Sequence, residues 1–255
     1  MKGLTGRRAV FTETDSQRWA LYGGRDPRDM ASYTTGEAAR YLRMPLRTVQ
    51  NWSFGFGSYA DKPLIRVADA KTHRLSFWNV AELHVLGALR RYHQISPMTL
   101  RRMIQYLERS FKSPHPLLTE KMLTDGISVF VEQTTGLVNA SKDGQMAMRQ
   151  LIEAHLQRIE QDVDGLAVRL FPFVRRSAET SSPAALLMQE PKVISLDPRV
   201  RFGRPVIAGT SIPTAEIAER FRAGDSFAAL ADEYGRPEAE IEEAIRCELT
   251  LDSAA

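Results

Sequence analysis

The chain has 255 residues, 43% of them hydrophobic and 25% charged, enough to bury one core with room for two or three small ones. It holds no run of about 18 apolar residues and no apolar leader core at its start, and its single cysteine, Cys247, excludes an internal disulfide or a cysteine-based zinc cluster. A cytoplasmic protein without a membrane segment is therefore expected, and its net charge of +3 divides unevenly: 18 Lys and Arg against 9 Asp and Glu over residues 1–110 (+9), then 16 against 22 (−6). A basic first half can face a polyanion, although arginine-rich surfaces also occur on proteins that bind none.

Residues 1–30 carry few periodic apolar positions and read as a loose arm. Regular structure opens with "SYTTGEAARYLRMPLRTVQNW", where Thr34 and Glu37 fit a capping box for a helix from Thr35 to Leu42. Pro45 suits the first turn of a second helix ending near Trp52. Leu64–Val67 and Arg74–Phe77 are strand-like runs around the polar turn "ADAKTH" and are expected to pair as a hairpin. Asn79 and Glu82 would cap a helix reaching about His93. Pro97 opens another, in which Leu100, Met103, Ile104, Leu107 and Phe111 form an apolar stripe for the core or for a dimer contact.

Residues 113–174 form a mixed segment. "GISVFVEQTTGLVNAS" reads as a hairpin, "QMAMRQLIEAHLQRIEQD" as an amphipathic helix and "LAVRLFPF" as a strand. Residues 175–190, rich in Ser, Ala and Pro, read as a linker. A C-terminal unit over residues 191–255 would begin with strands in "VISL" and "VIAG", followed by helices Thr214–Ala223, Ser226–Tyr234 and Pro237–Leu249. The expected class is mainly α with short β-hairpins: a winged helix-turn-helix over residues 31–112, the α/β middle and a C-terminal tri-helical unit.

The offsets of a helix-turn-helix occur twice. Around Ala39, positions −1, +3, +10 and +13 hold Ala38, Leu42, Val49 and Trp52; around Ala231 they hold Leu230, Tyr234, Ile241 and Ala244. Pro45 and Pro237 start the two second helices. Any tri-helical domain can supply this pattern, so charge must separate the copies. The first offers Arg47, Thr48, Gln50 and Asn51 on its second helix, Arg43 in the turn, Thr35 at the start of its first helix, and Lys71, His73 and Arg74 on the hairpin. These residues suit base edges and phosphates. The second copy instead carries Glu238, Glu240, Glu242, Glu243 and Glu248, which phosphates would repel. The first unit is therefore read as DNA-binding and the second as protein-binding.

Catalytic patterns are missing. The five histidines show no HExxH or cysteine pairing; His73 is expected on the wing surface, His84 and His155 on helix surfaces and His93 at a helix end. Cys247 sits in an acidic helix without an activating base, and Glu242 and Glu243 read as a solvated face. No enzyme activity, cofactor or metal is expected.

Two resemblances rest on these residues. "YTTGEAARYLRMPLRTVQNW" with "HRLSFWNVAELHVLGALRR" resembles the winged helix of MerR-type regulators. The stretch from "VISLDPRVRFGRPVIAGTSIPT" to "EAEIEEAIR" is similar to the domain of unknown function 433. In this order the two resemble the large antitoxins of VapBC-type toxin–antitoxin pairs, which repress their own operon and neutralise a PIN-like endoribonuclease. The resemblance implies double-stranded operator DNA and a PIN-like ribonuclease toxin as partners. A two-fold symmetric homodimer would read the operator with Arg47, Gln50 and Asn51, while Arg43, Lys71 and Arg74 hold phosphates. Because PIN-like sites are acidic, Arg175, Arg176, Arg199, Arg201 and Arg204 are the toxin-binding candidates, each also explicable as plain surface.

In that family pattern Gly203, Pro205, Gly209, Thr210 and Pro213 belong to hairpin turns, with Thr214 able to cap the next helix. "RFGRPVIAGTSIPT" lacks the lysine of a phosphate loop. A MerR-like regulator whose middle segment senses a small molecule, and an adaptor using both helical units for protein contacts, are the alternative functions.

Overall fold

The structure, a computed structural model, describes residues 19–55, 63–93, 97–119, 122, 126–128, 131, 142–174 and 183–252. It is mainly helical, with short antiparallel strand pairs. Strand β1 (Tyr33–Thr34) runs directly into α1 (Thr35–Leu42). The expected capping box is formed: the Thr34 hydroxyl accepts from the Glu37 N–H at 3.1 Å, and the Glu37 carboxylate accepts from the Thr34 N–H at 2.8 Å. Arg43 ends α1 in the left-handed region at φ 50°, and the Met44 N–H closes the turn onto the Ala39 carbonyl. Pro45 then stands at the N-cap of α2 (Leu46–Phe54). Ala38, Ala39, Leu42, Val49 and Trp52, the residues at the expected offsets, are all buried.

The expected hairpin partner Leu64–Val67 is not a strand. Leu64 and Ile65 are both buried, which a pleated strand exposing alternate faces does not allow. The chain bends there, and the Leu64 N–H closes the end of α2 by donating to the Trp52 carbonyl at 2.7 Å. Strand β2 (Arg74–Leu75) pairs with β1 instead, leaving one bridge, Asp69 to Arg74, at the wing.

Helix α3 (Phe77–His93) packs against α1 and β2. Its cap is Ser76, not Asn79: the Ser76 hydroxyl accepts from the Asn79 N–H at 3.2 Å while the Asn79 amide oxygen accepts from the Ser76 N–H at 3.0 Å. Phe77, Val80, Ala81, Leu83, Val85, Leu86 and Leu89 are buried, so no broad face between Phe77 and Leu89 meets solvent. Polar side chains on this helix must therefore pair inside. Glu82 meets His115 at 3.0 Å, and His84 meets His155 at 3.0 Å. His84 and His155 are thus not surface residues as expected, because α3 and α5 (Lys142–Leu156) pack on each other around them. In α4 (Pro97–Phe111) the stripe Leu100, Met103, Ile104 and Leu107 is buried within the chain.

The expected hairpin in the middle segment is also corrected. Its described residues Gly126, Ile127, Ser128 and Val131 are helical, and its other positions lie outside the described residues. The long amphipathic helix stops at Leu156, and its expected tail becomes strand β3 (Ile159–Gln161), paired with β4 (Ala167–Leu170). Arg158 marks the break. It is 2% exposed, and its guanidinium donates to the carbonyls of Phe171, Phe173, Leu187 and Glu190 at 2.6–3.4 Å. Burial pushes it down to about 10, so it remains charged at neutral pH. Two of those carbonyls belong to the end of α6 (Pro183–Gln189) and the residue after it, a helix inside the expected linker that packs its Ala184 and Leu187 on Leu151 and Ala154 of α5.

Residues 19–30, expected within a loose arm, are fastened to the body through Arg28. This side chain is buried, ion-paired with Asp26 at 2.6 Å and Asp162 at 2.5 Å, and lies over the rings of Trp19 at 5.8 Å and Trp78 at 5.3 Å. The C-terminal unit pairs β5 (Ile194–Ser195) with β6 (Val206–Ile207) and adds α7 (Thr214–Arg222), α8 (Phe227–Tyr234) and α9 (Glu238–Asp252). Pro213, not Thr214, holds the cap position of α7, and the buried Thr214 hydroxyl bonds Glu248 of α9. Glu243 and Glu248 are buried, so the acidic helix is not uniformly a solvated face.

Two predictions follow from the buried charges. Arg28→Met removes the cation between Asp26 and Asp162 and should cost about 3–5 kcal/mol in denaturant unfolding, with part of the loss recovered when Asp162→Asn is added. The second concerns pH. Burial raises the Glu82 carboxyl; burial opposes the His115 charge, but its hydrogen bond and attraction to Glu82 prevail and raise the imidazole as well. Groups held above their unfolded values add stability at low pH and lose it as pH rises through the folded value. The decline should begin above the ordinary carboxylate range for Glu82 and above about 6.5, the unfolded histidine value, for His115, and His115→Gln should flatten the upper part of that slope in thermal melts.

Candidate functional site

Helix α2 buries Val49, Trp52 and Ser53 and turns its other face outward. Arg47 is exposed, and Thr48, Gln50 and Asn51 are half-buried. Arg47, Gln50 and Asn51 share one face by the i, i+3, i+4 rule. Asn51 leans inward: its amide oxygen is buried, without a hydrogen-bond partner among the described residues. Thr35 is half-buried in the first turn of α1. Arg43 is tied back, its guanidinium donating to the Val174 carbonyl at 2.7 Å, so it braces the helix-turn-helix against the middle segment.

The expected wing is a tight turn rather than a two-stranded ribbon. The Asp69 carboxylate accepts from the Lys71 N–H at 2.8 Å, the Thr72 N–H at 3.2 Å and the Thr72 hydroxyl at 2.7 Å, the Asx-type closure that short polar side chains favour. Those bonds, the Thr72 hydroxyl first, hold the Asp69 carboxyl below its ordinary range. Lys71, His73 and Arg74 are all exposed on this turn. His73 packs edge-on against Phe54 at the end of α2, with ring centres 4.9 Å apart, so the wing cations stand beside the C-terminal end of α2. The Arg74 guanidinium also donates to the Ser32 carbonyl at 3.3 Å.

The C-terminal candidates divide. Arg175 and Arg176 lie outside the described residues. Arg199 is spent within the fold: its backbone and guanidinium bond Asp197 at 2.6–2.9 Å. Arg201 and Arg204 are exposed on the turn between β5 and β6. Arg201, Phe202 and Gly203 follow one another at φ of 48°, 55° and 79°, and the left-handed region costs a residue bearing a Cβ roughly 1–2 kcal/mol. The Tyr33 hydroxyl donates to the Gly203 carbonyl at 3.0 Å, and a Cβ on Gly203 would stand 1.8 Å from that hydroxyl. Glycine is thus required twice, by its φ and by the approach of Tyr33. Phe202 is 72% exposed; the sequence gives no sign of this, since its neighbours read only as turn residues.

Among the described residues no group of three or more His, Cys, Asp or Glu could hold a metal ion, and no helix is long and apolar enough to cross a membrane.

Comparison with known proteins adds three findings. Residues 194–246 match the family described as a protein of unknown function (DUF433). Over 230 residues the chain is 30% identical to a protein of Mycobacterium tuberculosis strain H37Rv named "Putative antitoxin VapB45", an overlap covering 81% of this chain and 89% of that one. The crystal structure of Rv2018 from Mycobacterium tuberculosis superposes with a TM-score of 0.64 at 26% identity, covering 85% of this chain and 97% of the other.

Gly203→Ala should destabilise the protein by roughly 2 kcal/mol or more, from the left-handed φ and the Tyr33 clash together, measured as a lowered chemical-denaturation midpoint. Gly209 has a similar φ of 75° but open space around it, so Gly209→Ala should cost distinctly less.

Proposed function

The chain belongs to the family of large VapB-type antitoxins, and from that premise we propose that it is the antitoxin of a type II toxin–antitoxin pair. It represses transcription by binding operator DNA as a homodimer, and it neutralises a PIN-like endoribonuclease by direct contact. The observation that carries the DNA-binding half is the outward face of α2, where Arg47 is exposed and Thr48 and Gln50 are half-exposed, with the wing cations Lys71 and Arg74 by the C-terminal end of the same helix. Donors on one helix face suit base edges in a major groove, and flanking cations suit phosphates. The wing turn is short, so it reaches the backbone beside the recognition helix rather than a second groove. Two such units related by a two-fold axis would read an inverted repeat.

The toxin-binding half rests on the relatives, of which one carries the antitoxin name. This role requires binding and no chemistry by the antitoxin itself, in keeping with the absence of catalytic motifs from the sequence. It places the protein in the cytoplasm with its DNA and its target.

Co-expression with the neighbouring open reading frame tests the pair: a small ribonuclease should copurify and be toxic only when this chain is absent. Changing Arg47 and Asn51 together to alanine should remove specific operator binding, at about 1–3 kcal/mol per base-reading side chain, with toxin capture retained. Specific binding by that double variant in a gel-shift titration would refute α2 as the recognition helix.

A further inference from the structure

Phe202 is held out of the protein by the backbone. Arg201, Phe202 and Gly203 occupy the left-handed region in succession, where L side chains rarely sit without a compensating reason. The turn is fixed from several sides. The Gly203 N–H donates to the Val200 carbonyl at 2.9 Å, the Tyr33 hydroxyl to the Gly203 carbonyl at 3.0 Å and the Arg201 Nε to the Ser211 carbonyl at 3.1 Å. The ring is therefore presented on a rigid mount with 72% of its surface in water. Phe221 and Phe227 of the same unit, by contrast, stack on each other with centres 4.8 Å apart.

The charges beside the ring are positive. Arg201 and Arg204 are both exposed, although the sequence beyond residue 110 carries a net −6. Arg204 lies close enough to Tyr41 of α1 for its charge to act on that phenol. A preorganised aromatic flanked by arginines has the composition of a protein-binding hot spot, and its rigidity lowers the entropy lost on binding. A DNA duplex would reward the arginines but not the phenyl ring, because its bases are stacked and paired within the helix.

We propose that Phe202, with Arg201 and Arg204, is the docking point for the toxin, the ring entering an apolar pocket and the arginines meeting an acidic rim on that partner. This rests on the antitoxin reading above. The turn thereby has a role distinct from the operator-facing surface, although Tyr33 joins it to the strand that precedes α1.

The test uses the full chain, the copurified toxin and an operator fragment, with both affinities measured at fixed salt. Phe202→Gly removes the ring and relieves the left-handed strain. It should raise or preserve the thermal midpoint while weakening toxin binding about 30-fold or more, the loss expected of a hot-spot anchor, with operator affinity unchanged. The pair Arg201→Glu and Arg204→Glu should weaken toxin binding similarly and most strongly at low salt. Wild-type toxin affinity in both variants would overturn the proposal. Loss of operator affinity with toxin binding intact would also overturn it and make the turn a phosphate clamp. A wild-type chain that binds operator but no toxin would overturn the antitoxin reading and this docking point with it.

Discussion

One buried cation holds together three stretches that are far apart in the chain. The Arg28 guanidinium lies over Trp19 and Trp78 and pairs with Asp26 and Asp162, so the N-terminal segment, the start of α3 and the β3–β4 turn meet at one charge. The connection extends inward, because Trp78 packs on His115 with ring centres 5.1 Å apart and His115 pairs with Glu82 in the middle of α3. Removing a charge from water is expensive unless partners surround it. These segments can therefore come apart only by exposing or orphaning ions. Arg158 applies the same logic with carbonyls in place of carboxylates: four backbone oxygens, two from the chain just beyond β4, one from the end of α6 and one from the residue after it, converge on it.

The candidate surfaces depend on this frame. Helix α2 turns outward because Val49 and Trp52 are anchored in the core around α3. The Arg43 bond to Val174 ties the helix-turn-helix to the middle segment, and the Tyr33 bond to Gly203 ties it to the C-terminal unit. Tyr33 immediately precedes the Thr34 cap of α1. The Arg201–Gly203 turn is consequently seated against the root of the helix-turn-helix rather than on a separate module.

The two units with helix-turn-helix spacing use the same packing rule for different ends. In both, small and branched residues at matching offsets are buried: Ala38, Leu42 and Val49 in one, Leu230, Ile241 and Ala244 in the other. They differ in the second helix. Helix α2 shows donors to solvent, whereas α9 is acidic, packs along α7 and turns Glu243 and Glu248 inward, the latter to the Thr214 hydroxyl. Spacing sets how two helices touch; side-chain charge sets what the exposed face can meet.

Much of the local structure was legible in the sequence because its determinants are local. Thr34 and Glu37 specify the start of α1, the stripe Leu100–Met103–Ile104–Leu107 specifies the buried face of α4, and glycines at 203 and 209 supply the positive φ of their turns. The donor set of α2 and its contrast with α9 were also readable, since helical period and charge are properties of adjacent residues. Other features arose only in the folded chain. The pairing of β2 with β1, the burial of His84 and His155, the end of α5 before Arg158 and the docking of residues 19–30 all depend on groups distant in sequence. The exposure of Phe202 belongs with them: sequence suggested a turn, but only the approach of Tyr33 to Gly203 decided that the ring points to solvent. Local chemistry chose the elements, and the need to partner every buried charge chose how they came together.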